Sequence, residues 1–331
     1  MQHKMSEKDA IIIAGVLGLA VFVLLFKVWS PLVWGSSGNS TQAAVNATGT
    51  GISVADSDSS PVSSPIVSAG GNAGTAAGSA NPSEGKTLET RITVPDGYQR
   101  TAEKQNSFAS FVRTYPLKKA GSKVRLYDKS KKENQDAHVA VFKLPIEPED
   151  LQQCADSVIR MYAEYFWKTK QYERIAFRFS DGFLAEYTKW RDGFRIQPGG
   201  ARGTVWVGGG NDYDDSYANF KKFIRMVFAY SSTISLKNES KKISLKKLRV
   251  GDIFIQAGSP GHVVMVADVC ENAEGKKAFL LAQGYMPAQE FHLLKNPAHE
   301  DDPWYYEEEV IYPFETPEYT FEKGSLMRPK Y

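Results

Sequence analysis

The apolar positions of this chain fall into three regimes. Residues 10–26 carry no charge and are nearly all apolar, and after Lys27 the run resumes from Val28 to Trp34. That supplies the roughly 20 helical residues needed to cross a bilayer. From residue 35 to 88 the pattern dissolves into Ser, Gly, Ala and Thr with little charge, a composition that cannot bury enough apolar surface to offset chain entropy. From residue 89 onward, strand-like and helix-like periodicities alternate to the end.

Within this last region, short β-branched or apolar runs at 91–94, 108–113, 123–127 and 139–144 are separated by Gly, Pro, Asp and Lys, which predicts strands and turns. The next signal is helical. After Pro148 and Asp150, apolar or small residues recur at Leu151, Cys154, Ala155, Val158, Tyr162, Tyr165 and Phe166, with Asp156, Arg160 and Glu164 four apart on another face as an ion-pair ladder. A strand is expected over 174–179 and a mixed, aromatic-dense segment over 183–196. A glycine-rich loop follows around Trp206. A second helix then opens near Asp214, Asp215 or Ser216 and buries Phe220, Phe223, Ile224, Val227 and Phe228. Runs at 252–256, 262–269 and 277–283 read as strands, the last two closing a hairpin through the turn at 271–275. The stretch from Asn296 is rich in Pro, Trp, Tyr and acid, and predicts only a wrapping segment. Together these elements predict an α+β domain, an antiparallel sheet packed on helices.

Composition sharpens the division into parts. The 331 residues carry a net charge of +2 with basic and acidic side chains interspersed, so nothing asks for a nucleic-acid partner. The expected organisation is an N-terminal tail (1–9), a transmembrane anchor (10–34), a disordered linker (35–88) and a globular domain (89–331). A cleaved signal peptide is the competing reading of the first segment. The apolar run exceeds a typical signal h-region and no clear small-x-small site precedes Gly35, which favours the anchor. Trp29 and Trp34 suit a membrane interface. Lys4 and Lys8 are offset by Glu7 and Asp9, so charge says little about orientation.

With two cysteines and five histidines, candidate chemistry is scarce. Cys154 falls about one turn into its helix, where unpaired N–H groups and the dipole favour a thiolate. His262 opens a strand after Gly-Ser-Pro-Gly. In the predicted hairpin Gln283 lies opposite Val264, on the face of His262, where an amide can orient the imidazole. Cys154 thus reads as nucleophile, His262 as general base and acid, Gln283 as orienting group, and Gln152 or Gln153 with the helix N–H groups as oxyanion support. Tyr187, Trp190 and Trp206, with Phe194, could form a stacking surface for sugar or peptide. Inert alternatives stand beside these: Cys154 as a buried core thiol, Gln283 as a sheet amide, the aromatics as core. A Cys154–Cys270 disulfide competes with the dyad, because Cys270 lies roughly 26 Å along the strand from His262 and a disulfide needs Cα atoms within about 7 Å.

Other motifs carry less. Asp212–Ser216 reads as a capping loop rather than a calcium loop, lacking the glycine and terminal glutamate. His292 and His299, with Glu300, Asp301 and Asp302, show no metal-ligand spacing and read as a surface tail. The loop near Gly208 matches no phosphate-binding pattern. No cofactor or metal is required by the chemistry proposed.

The order of helix-borne Cys154, then Gly251-Asp252 to Val269 with His262, then a hairpin return ending in a polar residue resembles the NlpC/P60 and wider papain-like cysteine peptidases and amidases. The resemblance implies a papain-like core and hydrolysis or transfer at an amide bond, often in cell-wall peptides. In those domains Cys and His lie a few tens of residues apart. Here they are 108 positions apart, so a strand and a second helix must be inserted. The chain from Cys154 through 284–297 and Asp302–Tyr306 also resembles a family of bacterial envelope proteins of unknown function. The implied setting is a single pass through a bacterial inner membrane via residues 10–34, the globular domain periplasmic, with peptidoglycan or another envelope peptide as partner. A noncatalytic envelope protein binding glycan or peptide is the alternative.

Overall fold

The computed structural model describes residues 85–199, 203–208, 210 and 212–331. The expected tail and anchor, and the linker up to residue 84, lie outside these. Among the described residues no helix is long and apolar enough to cross a membrane. The last residues of the expected linker already belong to the fold: Thr87 bridges Pro116, and Arg91 Nε donates to the Gly85 carbonyl at 2.7 Å.

In chain order the described residues form α1 (Leu88–Arg91), β1 (Tyr98–Arg100), α2 (Phe108–Arg113), β2 (His138–Val141), α3 (Cys154–Lys168), β3 (Ala176–Arg178), β4 (Leu184–Glu186), α4 (Tyr187–Arg191), β5 (Arg195–Gln197), β6 (Val205–Val207), α5 (Tyr217–Tyr230) and α6 (Thr233–Asn238). Then come β7 (Ser240–Lys242), β8 (Ile253–Gln256), β9 (His262–Asn272), β10 (Lys277–Gln283), β11 (His292–Leu294), β12 (Tyr305–Tyr306), β13 (Phe314–Glu315), β14 (Thr320–Phe321) and β15 (Leu326–Pro329).

One nine-stranded sheet organises the domain, in the order β2–β11–β10–β9–β8–β15–β7, with β1 also on β9 and β12 also on β10. Every pairing in it is antiparallel, and helices pack on it, as the α+β reading expects. The centre is the β9–β10 hairpin. Both strands are buried nearly throughout, which explains why they read as continuous apolar runs rather than alternating ones. The register is Ala282 opposite Met265 and Leu281 opposite Val266, then slips by one between Leu280 and Leu281. The resulting bulge accompanies Asp268, a buried carboxylate that takes Arg100 Nε at 2.7 Å and Arg113 Nε at 2.6 Å. A charge taken out of water needs such partners.

Helix α3 lies against β9 and β10 and buries Val158, Ile159, Met161, Tyr162, Ala163 and Phe166. Its polar ladder differs from the expectation. Arg160 is wholly buried, pairs with Glu164 at 2.7 Å and Glu147 at 3.3 Å, and makes no bond to Asp156, which instead accepts the Gln153 N–H at 3.2 Å. The 108-residue interval to His262 holds more than one strand and one helix: hairpins β3–β4 and β5–β6, and helices α4 to α6, intervene. Ser216 caps α5 through the Asn219 N–H at 3.2 Å.

Three expected strands are absent. Residues 108–113 form α2, because Ser107 Oγ caps the Ser110 N–H at 3.1 Å and Phe108, Phe111 and Val112 share one helical face, Phe108 stacking on Tyr162 at 4.0 Å. Around 91–94 the chain makes α1 and then no strand, and 123–127 has only isolated bridges from Arg125 to Lys131 and Leu126 to Gln289. Runs of four to six apolar residues do not distinguish strand from helix by period alone. The C-terminal stretch is more ordered than a wrapping segment: β15 is inserted between β8 and β7, and a β13–β14 hairpin precedes it.

Candidate active site

Cys154 is the first residue of α3 and keeps part of its surface open. The helix starts there because the Gln153 backbone is extended and its N–H is taken by Asp156 Oδ2, leaving the N–H groups of the first turn without intrahelical partners. The backbone N–H groups of Ala155 and Val263 act on the Cys154 thiol, so it lies near the residue that follows His262. The next contact is steric. A Cβ on Gly284 would meet Ser157 Oγ at 2.2 Å and the Gln153 carbonyl at 3.1 Å, so the end of β10 abuts the first turn of α3 without room for a side chain.

His262 opens β9 and is 2% exposed. Its Nε2 lies 2.7 Å from Gln283 Oε1. The register continues one step past Ala282–Met265 to put Gln283 opposite Val264, on the His262 face, as expected from the sequence. Tyr285, Tyr319 and Phe321 surround the imidazole at centroid distances of 4.5, 5.0 and 6.1 Å. Gln283 Nε2 donates to Glu318 Oε2 at 2.7 Å, and Glu318 pairs with Lys132. The structure therefore brings Cys154, His262 and Gln283 to one place.

A cleft of about 420 Å³ opens on these groups. The start of α3 from Asp150 to Asp156 forms one wall; the end of α5 and start of α6, from Phe228 to Thr233, form another. The loop Gly258–Gly261 leads into His262, and Tyr285, Met286 and Tyr319 close the remaining side. Among the described residues lining it are two carboxylates, Asp150 and Asp156, and no lysine or arginine.

Burial governs the electrostatics. It pushes the Cys154 thiol up to about 12, with the Asp156 carboxyl adding to the effect and the neighbouring N–H groups opposing it. Desolvation outweighs the helix N-terminus here. Burial likewise lowers His262 to about 4, against the Gln283 bond that favours its protonated form. Asp156 is itself raised well above the usual carboxylate range by burial, and its Oδ1 has no hydrogen-bond partner. The pair at rest is a neutral thiol and a neutral imidazole.

Several expected residues lie elsewhere. Gln152 is wholly buried and outside the cleft lining, its Oε1 accepting from Arg160 at 3.3 Å, so it cannot support an oxyanion there. Gln153 does line the cleft, but its side-chain amide donates to Asp150 at 3.1 Å. Tyr187 and Trp190 are buried against Phe223 at 5.6 and 5.9 Å, and Trp190 donates to Asn219. Trp206 sits in β6 beside Phe183 at 5.6 Å. None of the three lines the cleft; they pack the insert between Cys154 and His262. Cys270 is fully buried and both cysteines are free, so no disulfide competes with the dyad. His292, expected on a surface tail, is wholly buried behind Gln283, with Nε2 3.4 Å from the amide nitrogen. Sequence reasoning missed Lys132, Tyr285, Glu318 and Tyr319. Three of these sit outside any periodic element, and only the polar residue two beyond Gln283, Tyr285, followed a readable pattern.

No curated protein and no solved structure matches the chain. A family model does match, over residues 88–328, covering both Cys154 and His262 together with all of the sheet except Pro329 at the end of β15. By that match the chain belongs to the family described as Domain of unknown function (4846).

Proposed function

We propose that this protein is a cysteine hydrolase acting on an amide bond of a peptide, with Cys154 as nucleophile, His262 as general base and acid, and Gln283 as orienting group. The observation that carries the reading is the convergence of a partly open thiol at a helix start and a Gln-bonded imidazole on one cleft. Gln283 Oε1 takes the proton-bearing Nε2, so Nδ1 is the basic nitrogen available to the thiol. In the first step Nδ1 takes the Cys154 proton while sulfur attacks the carbonyl carbon. The oxyanion develops beside the first turn of α3, whose N–H groups have no intrahelical partners. The imidazolium then protonates the departing amine, and water, deprotonated at the same nitrogen, releases the acyl group.

The antiparallel sheet against the Cys-bearing helix supports the likeness to NlpC/P60 and papain-like enzymes. The hydrophobic segment at 10–34 supports a membrane-tethered domain working on an envelope peptide such as peptidoglycan, outside the cytoplasm. A lining with Asp150 and no lysine or arginine among the described residues suits neutral or amine-bearing peptides better than anionic ones. A second reading, noncatalytic binding of peptide or glycan in the same cleft, draws on the burial that holds the thiol protonated.

The test is digestion of purified peptidoglycan and its soluble peptides by the full chain and by Cys154→Ala, with products read by mass spectrometry. Hydrolysis means one new amine and one new carboxylate per turnover, present with the wild type and absent with the variant. Equal products from both, or from neither, sink the hydrolase reading.

A further inference from the structure

Behind the cleft lies a buried polar cluster that the reaction above does not use: Lys132, His292 and Glu318. They come from separate parts of the chain. Lys132 precedes β2, His292 opens β11, and Glu318 sits in the turn between β13 and β14. Their meeting point is the side-chain amide of Gln283. Its Nε2 donates to Glu318 Oε2 at 2.7 Å and stands 3.4 Å from His292 Nε2. His292 Nδ1 is 2.8 Å from the Glu290 carbonyl, which only accepts, so that ring carries its proton on Nδ1 and presents a lone pair at Nε2. Both acceptors therefore face the same end of the amide. Turning the amide over would set Oε1 against a carboxylate oxygen, so one orientation survives, with Oε1 on His262. That carbonyl oxygen in turn requires a proton on His262 Nε2 and leaves Nδ1 basic.

Lys132 supplies the counter-charge to Glu318; its side chain is 7% exposed. The same turn holds the imidazole from the other side. Tyr319 packs against His262, tilted by 44° at 5.0 Å between ring centres, and donates to the Pro260 carbonyl at 3.3 Å, while Tyr285 donates to the Glu318 carbonyl at 3.3 Å.

We propose that Glu318 is a positioning residue, which fixes the tautomer of His262 through the Gln283 amide, making the C-terminal β13–β14 turn part of the active site. This rests on the Cys154–His262 reading and deepens it.

The experiment uses the full chain as wild type, Glu318→Ala, Glu318→Gln and His262→Ala. Two quantities are read: the rate of Cys154 alkylation by iodoacetamide against pH, and the imidazole nitrogen shifts of ¹⁵N-histidine-labelled protein. Wild-type His262 is expected to carry its proton on Nε2. In Glu318→Ala both tautomers populate and alkylation at neutral pH slows about tenfold or more. Glu318→Gln keeps an acceptor for the Gln283 N–H and restores most of the rate. A wild-type ring protonated on Nδ1 overturns the proposal without any variant, as does a Glu318→Ala protein with unchanged rate and tautomer. If His262→Ala alkylates as fast as wild type, the Cys–His reading itself falls and the positioning role falls with it; if His262→Ala is slow and Glu318→Ala is not, only the positioning role is lost.

Discussion

His262 Nε2 and Gln283 Oε1 stand 2.7 Å apart, between the first residue of β9 and the last of β10, and both side chains are buried. Neither can be satisfied by water if the other is removed. Gln283→Leu keeps similar bulk but leaves an unpaired N–H on the ring and removes one of the two donors on Glu318 Oε2, so it should cost roughly 1–3 kcal/mol of stability. Its effect on chemistry should be larger than on folding. With the tautomer no longer fixed, amide hydrolysis should fall on the order of 10²-fold, the low end for loss of positioned general-base assistance. Urea unfolding and peptide hydrolysis on the same preparation separate the two effects.

The two thiols should behave differently although burial raises both to about 12. Cys270 is 0% exposed with its sulfur directed at the Ala278 carbonyl, whereas Cys154 opens on the cleft. Iodoacetamide at neutral pH should give one adduct, on Cys154, as peptide mapping reads directly. In His262→Ala the thiol loses its base, so the rate should rise about tenfold per pH unit across the neutral and alkaline range, as expected for a thiol ionising only at high pH. The wild-type rate should depend less steeply on pH because the imidazole accepts the proton. Equal slopes would mean that no proton passes between the two residues.

Much of this site was legible because its key residues sit on regular elements. Cys154 and the β9–β10 hairpin were both placed by periodicity and by one turn, and a register read from the sequence put Gln283 on the His262 face. The α2 helix was not legible, since six residues with Phe108, Phe111 and Val112 fit either period and the cap at Ser107 decided it. Glu318 and Lys132 were invisible for a different reason. They lie in loops and are joined to Gln283 only by tertiary contact, 35 and 151 positions away along the chain. The aromatic residues Tyr187 and Trp190 show the converse error, because composition cannot tell a stacking surface from a core, and α5 covers them.

Acid should weaken the domain through its buried histidines, His262 among them. Burial lowers His262 to about 4 in the folded state, while in the unfolded chain it titrates near 6.5. A depressed pKa contributes stability that is complete above 6.5 and lost as pH falls toward 4, because the unfolded chain takes up a proton that the folded one refuses. Over this window of about two and a half pH units, at about 1.4 kcal/mol per pH unit, the loss is about 3 kcal/mol. Asp156 works in the opposite sense, since its raised pKa stabilises the fold as acid protonates it. The informative quantity is therefore the difference between wild type and His262→Gln in urea midpoint from pH 7 to pH 4. The wild type should lose more stability by about that amount, and parallel curves would show that His262 is not held neutral by burial.

Gly284 is where the Cys154 helix and the His262 hairpin are locked together. A Cβ there would come within 2.2 Å of Ser157 Oγ and 2.9 Å of Ser157 Cβ, closer than real side chains approach, so Gly284→Ala must push α3 and the end of β10 apart. Overpacking of this kind costs about 1–3 kcal/mol. The displacement acts directly on the spacing between Cys154 and Gln283, which flank the contact one turn and one residue away. Alkylation of Cys154 should therefore slow by roughly the tenfold that small misplacements of reacting groups bring about. Ser157→Gly deletes both atoms that the new methyl would strike. In the double variant the two closest contacts are gone, and Cys154 reactivity should return toward wild type even though a glycine inside the helix costs about 1 kcal/mol of stability. Rescue of reactivity without rescue of stability is the signature of a spacing effect. If Ser157→Gly restores neither, the loss in Gly284→Ala comes from the Gln153 carbonyl, 3.1 Å from the same methyl, and the helix start rather than its first turn sets the distance.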